Sequence, residues 1–255
     1  MTFDRALARL ARVTEYDAAW QWLPTAKADA RYALYRALEE EQEAAATAPQ
    51  AKTEPARILE LAQVAFGRLR GLLVGVDDAL LDRAPAEAEW PLRRTLEHAI
   101  GVERSYRANA EHALVRGEND PLSLPPDRRP QLDPADTAGG VLDIVAAFAR
   151  RRAETDAALS DLSETQLRRP SQWGAYNDPA VIDVRFRLHR FASHIAEHTV
   201  QCETTIAALG VTLTDARAIV RAIGAMRGSH ERRSSAETLA ALDASLVAKA
   251  DALGV

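Results

Sequence analysis

Apolar positions along this chain recur at three- and four-residue intervals, the spacing that gathers them on one face of an α-helix. Residues 3–22 carry Phe3, Leu7, Leu10, Ala11 and Tyr16 on one side, which predicts a helix ended by Pro24. A second helix is expected over 26–46, with Tyr32, Tyr35 and Leu38 apolar and an acidic end at Glu39–Glu43. The stretch Ala44–Lys52 reads as a linker, so residues 1–50 form a helical arm whose aromatics pack on the body or on a partner subunit. Thr53 is a suitable N-cap with Pro55 in the following turn, and Ile58, Leu61, Ala62, Ala65, Leu69, Leu72 and Leu73 make the first stripe of a central body. Pro91 opens a second body helix that runs to about Arg116, with Leu92, Leu96, Ala99, Val102, Tyr106 and Ala110 inward.

Prolines 121, 125, 126, 130 and 134 then make residues 117–134 a long irregular connection, as a crossover requires. A third helix carries Val141, Val145, Phe148, Arg152, Thr155, Leu159 and Leu162, and Ser163 with Gln166 has capping-box spacing for one extra turn. Residues 168–178 read as a loop, and 187–209 as a fourth helix stopped by Gly210. Thr214 or Asp215 caps a short helix bearing Ile219, Val220 and Ile223. After a polar break at 228–233, Ser234 with Glu237 caps a last helix to about Leu253. The chain therefore divides into an arm (1–50), a helical body (53–212) and a helical extension (213–255), and its class is all-α.

Composition narrows the function. Of 255 residues only 5% are aromatic, the net charge is −5 with both signs interspersed, and no basic tract points to nucleic acid. The single cysteine, Cys202, cannot form an internal disulfide. The first residues are charged where a signal peptide needs an apolar core, and runs such as Leu72–Val76 are too short to span a bilayer. No membrane association and a cytoplasmic location are expected.

The chemistry lies in the fourth body helix. His194 and His198 are four apart, so they point about 40° apart around the axis, onto the stripe of Phe191, Ile195, Cys202, Ile206 and Leu209. Two imidazoles on an apolar face each need polar partners, and a divalent zinc, nickel or iron ion satisfies both. A metal-free buried pair is the alternative. His112, His189 and His230 read as structural or solvated. His98, on the flank of the second body helix, is the natural third ligand if that flank faces the pair. Glu103 lies nearer the centre of that stripe and needs a partner. Trp173, Tyr176 and Asn177 precede the histidine helix and could roof a site; Arg187, two turns before His194, could hold a carboxylate. Cys202 needs no role beyond a small buried residue.

Trp90-Pro-Leu-Arg-Arg-Thr-Leu-Glu-His98 followed by Glu103 resembles the first conserved segment of the DinB/YfiT-like metalloprotein superfamily. His194-x-x-x-His198-x-x-Gln201, closing on Leu209-Gly210, resembles its second, and the likeness covers about residues 56–210. The resemblance implies an up-down-down-up four-helix bundle with a long crossover, here with extra terminal helices. It also implies a homodimer and a metal, zinc or nickel first, held by His98, His194 and His198. Relatives in that superfamily include transferases and isomerases that use small thiols such as mycothiol or bacillithiol. The expectation is metal-dependent chemistry on a small molecule, S-transfer or isomerisation with a low-molecular-weight thiol as partner. Glu103, Arg187, Gln201 and Tyr176 are candidate catalytic groups, joined by Trp173 and Asn177 around the substrate. Two alternatives stand beside it. One is a non-enzymatic metal-binding or stress-associated bundle. The other is a hydrolase, because His194-Ile-Ala-Glu197-His198 spells H-x-x-E-H, with Glu203, Glu231 or Glu237 as third ligand.

Overall fold

The computed structural model describes residues 2–14, 20–23, 26–174 and 180–255. Nine helices occur among them. The bundle consists of α3 (Glu54–Leu73), α4 (Leu92–Val115), α5 (Val141–Leu159) and α7 (Val184–Ala208). Each begins where the local chemistry dictates. The Thr53 side chain accepts from Ala56 N at the start of α3, Pro91 occupies the cap position of α4, and the Asp183 carboxylate accepts from Phe186 N ahead of α7. The short α6 (Glu164–Leu167) carries the expected Ser163–Gln166 capping box.

Contacts between helix ends fix the topology. Thr53 Oγ1 donates to the Ser160 carbonyl at 2.6 Å, joining the start of α3 to the end of α5. Arg185 Nε reaches Glu54 at 2.7 Å, so α7 and α3 start at the same end. Arg93 Nη1 donates to the Gly139 carbonyl at 3.0 Å, so α4 and α5 also start together. The order is up-down-down-up, and residues 116–140 form the crossover that two parallel consecutive helices need. Phe66, Leu69, Leu96, Ile144, Phe148, Phe191 and Ile195 fill the centre, with the Phe66 and Phe148 rings 5.2 Å apart. Each such large side chain taken from water contributes about 2 kcal/mol.

The terminal segments come together as a second layer. In it α8 (Asp215–His230) lies antiparallel on α3, α2 (Ala30–Thr47) lies on α8, and α1 (Phe3–Leu10) meets α9 (Ala236–Ala252). Close approach of α3 and α8 depends on Gly67, Gly71, Gly224 and Gly228; a Cβ on Gly224 would sit 2.5 Å from the Gly67 carbonyl oxygen. Helix α3 is therefore buried on two faces. Gln63, Gly67, Arg70 and Gly71, polar or glycine positions, are all buried. Within the second layer Glu41 accepts from Arg227 and pairs with His230 at 2.8 Å, while between the layers Glu231 pairs with Arg70 and accepts from Gln63.

Several local expectations are corrected. The helix expected over 3–22 ends at Leu10, and β1 (Trp20–Leu23) pairs with β2 (Ala26–Ala28). Trp20 and Trp22 alternate with a polar residue at the strand period, and that local signal wins over the helical one. Tyr16 and Pro24 lie outside the described residues. The second helix starts at Ala30, where Asp29 caps it by accepting from Tyr32 N at 3.0 Å. The loop expected at 168–178 contains β3 (Pro170–Trp173), which pairs with β4 (Ala180–Asp183) directly before α7. Leu61 is 55% exposed, because the burial of α3 is divided between the bundle and α8. The cap of α9 is Ser235; the Ser234 hydroxyl bonds His230 Nδ1 at 2.8 Å instead. Among the described residues no helix is long and apolar enough to cross a membrane.

Candidate metal centre

The antiparallel crossing of α4 and α7 brings three histidines together. One ring nitrogen from each of His98, His194 and His198 lies within 4.8 Å of the others. His194 Nε2 and His198 Nε2 are 3.0 Å apart, and the His98 ring centroid is 5.4 Å from that of His194 and 4.8 Å from that of His198. The flank of α4 that carries His98 faces α7, which its position on the stripe could not decide. The His98 ring meets the Trp90 ring edge at 5.5 Å, and His194 meets Tyr106 at 5.6 Å.

The donor set suits a cation. Burial first, then the neighbouring His198 and His98, lowers the His194 pKa to about 3. Burial and His198 also lower that of His98. Both imidazoles are thus neutral at neutral pH, with a lone pair free on each ring. The Gln201 side-chain oxygen, an acceptor, lies 2.9 Å from His198 Nδ1, the second-side contact that orients a ligating imidazole and turns its Nε2 toward the metal position. Two nitrogens about 2.0–2.1 Å from one tetrahedral zinc would be about 3.3 Å apart, close to the Nε2–Nε2 separation here.

The centre sits between two cavities. The larger, about 660 Å³, is bounded by Tyr106, Trp173, Arg187, Arg190 and Glu197 as well as the three histidines. The smaller, about 520 Å³, touches His98 and His198 from the side of Trp90 and Gln201.

The other candidate residues are distributed unequally. Gln201 holds His198. Trp173, at the end of β3, lies 5.4 Å from the Tyr106 ring and roofs the larger cavity. Arg187 is buried and donates to Ser171 Oγ at 2.9 Å and the Gln172 carbonyl at 2.8 Å. Tyr176 and Asn177 lie outside the described residues. Glu103 does not line the cavity. It is buried in the bundle, accepting from Arg152 Nη1 at 2.7 Å and Thr155 Oγ1 at 2.6 Å. Burial pushes its carboxyl pKa up, against the pull of Arg152 and Thr155.

The H-x-x-E-H third ligands are elsewhere. Glu203 pairs with Arg221, Glu231 with Arg70, and Glu237 is exposed on α9, so none joins the histidine pair. Cys202 is fully buried and its thiol pKa is pushed up to about 12 by burial, which leaves it inert. Sequence reasoning passed over Arg190 and took Tyr106 for plain core. The half-buried state of Tyr106 comes from the cavity, which no helical periodicity announces.

Residues 60–202 match the family model of the DinB superfamily, a span that contains all three histidines and all or most of each bundle helix. The chain belongs to the DinB superfamily. A similar solved structure is that of YfiT from Bacillus subtilis, described as a probable metal-dependent hydrolase with an unusual four-helix bundle topology. The two chains share 15% identity over 64% of this chain and 92% of that one, with a TM-score of 0.49. A comparison with curated proteins finds no match. In this DinB protein α1, α2, α8 and α9 lie outside the matched span and leave both cavities to the bundle, its connecting loops and β3.

Proposed function

We propose that this DinB protein is a metal-dependent enzyme for a small molecule, joining a low-molecular-weight thiol to an electrophile or using it to isomerise one. The observation that carries the reading is three imidazoles converging within 4.8 Å at the wall of a cavity of about 660 Å³, the size range of small-molecule sites. His98, His194 and His198 would hold a divalent ion, zinc or nickel, and leave a position open. Bound there, such an ion lowers the pKa of a thiol or water that reaches it.

The chain's own residues supply the rest. Gln201 fixes the orientation of His198. Glu197 lines the cavity one residue before His198 and can take the proton a thiol loses. Burial raises the Tyr106 pKa, against the nearby Arg190, so its hydroxyl stays protonated and can donate to a substrate oxygen. Trp173 closes the roof. Residues of both cavities reach His98 and His198, which gives two reactants separate approaches to one centre.

Glu197 also favours a second reading, hydrolysis with that carboxylate as general base to a water. The deciding experiment measures metal in untagged wild type, His98→Ala and His194→Ala, then assays loaded protein against thiol–electrophile pairs and against esters and amides. About one ion per chain, lost in both variants, supports the centre, and turnover that requires thiol supports transfer or isomerisation. Turnover of esters or amides without thiol, abolished by Glu197→Gln, establishes the hydrolase instead. No metal after zinc and nickel are added back refutes both and leaves a non-enzymatic bundle. The reading includes a homodimer, which sedimentation equilibrium tests.

A further inference from the structure

The larger cavity has a charge pattern that the metal centre does not explain. Arg187, Arg190 and Arg129 line it, against one acidic side chain, Glu197, which sits on the turn of α7 that carries His198. Among the described residues none of these arginines is ion-paired to a carboxylate. Arg187 is 3% exposed and its partners, Ser171 Oγ and the Gln172 carbonyl, are neutral. Its Nε is buried with no acceptor, and so is Nε of Arg190. Both guanidinium groups face the Trp173 ring, at 5.6 Å and 5.3 Å from its centroid.

An arginine in this position stays charged. Burial lowers the Arg187 pKa to about 10, still above any physiological pH. A buried cation with neutral partners is costly, and two of them over one ring repel each other. Three of the other buried arginines show the usual remedy: Arg152 has Glu103 and Asp156, Arg70 has Glu231, and Arg227 has Glu41 and Asp243, while Arg116, away from the ring pair, is met by the carbonyls of Gly117, Asp120 and Pro170. At Arg187 and Arg190 no carboxylate among the described residues supplies the counter-charge, and the cavity leads to them. Along α7, Arg187 stands seven residues before His194, about 10 Å along the axis.

We propose that Arg187 and Arg190, with Trp173 as their platform, form a carboxylate-binding subsite, so that the substrate is a small organic acid whose reacting end reaches the histidines. The planar fork of a guanidinium matches a carboxylate in two parallel hydrogen bonds, and Arg190, half-buried at the cavity wall, is the more open of the two forks. The aromatic face beside them suits the flat, apolar neighbourhood of a carboxylate better than a tetrahedral, strongly hydrated phosphate. The proposal deepens the metal-dependent reading in naming the substrate class, but the arginine subsite stands on its own residues.

The test is calorimetric titration of the full chain, as purified with its metal and after stripping by chelator, with succinate, its uncharged diamide and inorganic phosphate. Succinate is expected to bind both forms at least tenfold more tightly than the diamide and more tightly than phosphate. Arg187→Met is expected to weaken it at least tenfold; Arg190→Gln, at a half-buried position, does the same should the first variant fold poorly by circular dichroism. Succinate binding confined to the metal-loaded form and unchanged by either substitution would place the anion on the metal and overturn the proposal. Preference for phosphate, or no preference for charge, would also overturn it. Succinate binding in a protein that takes up no metal would remove the enzymatic reading and leave the subsite intact.

Discussion

Glu103 is the candidate whose role the structure moves furthest, and a double-mutant cycle with Arg152 tests that move. The carboxylate is 2% exposed and the guanidinium 0%, joined at 2.7 Å, with Thr155 on the same oxygen and Asp156 2.8 Å from the other arm of Arg152. Removing one member of such a pair leaves an uncompensated buried charge, at a cost of about 3–5 kcal/mol, whereas replacing both by apolar groups of similar volume is close to neutral. Asp156 stays beside Arg152, so Glu103→Leu belongs at the lower end, about 3 kcal/mol. Arg152→Met strands Glu103, which can escape by taking up a proton, and costs about the same. For a chain of this size 3 kcal/mol corresponds to a fall in Tm of about 6–12 °C. The double variant is expected within about 1 kcal/mol of wild type. The assay is urea unfolding of metal-stripped protein, so that metal linkage does not enter. Metal content is measured in parallel and is expected to match wild type in all three variants. Additive losses in the double variant, or a Glu103→Leu protein of wild-type stability that loses its metal or activity, would refute a structural role.

Three further outcomes follow from the geometry. His194 titrates at about 3 in the folded protein and at about 6.5 in an unfolded chain, so between those values the unfolded state holds the extra proton and stability falls as pH falls. Metal-free wild type should lose about 2 kcal/mol more than His194→Asn between pH 7 and pH 5 in urea unfolding; equal losses would contradict a buried neutral imidazole. Gly224→Leu pushes a side chain into the Gly67 backbone and should cost about 2–3 kcal/mol with early proteolysis of α8, while the exposed neighbour Ala222→Leu changes stability by less than about 0.5 kcal/mol. Gln201→Leu removes the acceptor on His198 Nδ1 and should weaken metal binding about 10–100-fold in a competition titration with stability unchanged; full affinity would show that His198 needs no orienting partner.

Much of the bundle was legible in the chain because its signals are local. Three-to-four periodicity marks α3, α4, α5 and α7, Thr53, Ser163 and Thr214 cap helices where their spacing says, and the prolines after Arg116 mark the crossover. The β3–β4 hairpin was less legible: four-residue strands with exposed or half-buried side chains carry too little alternation to stand out from a loop.

The site divides along the same line. That His194 and His198 share a face follows from four residues of helix and nothing else, so the sequence by itself determined that pair, and Gln201 one turn further on as its companion. Whether the flank bearing His98 would meet them depended on how α4 crosses α7, which the tertiary structure alone decided. The partner of Glu103 arrives from α5, 49 residues away, and turns a candidate acid into half of a buried ion pair. The polar and glycine positions of α3 became an interface only when α8 returned to cover them. Periodicity reports which residues of one helix lie together; which helices become neighbours is set by packing the whole chain, and the cations without a carboxylate among the described residues, Arg187 and Arg190, emerge only after that packing is complete.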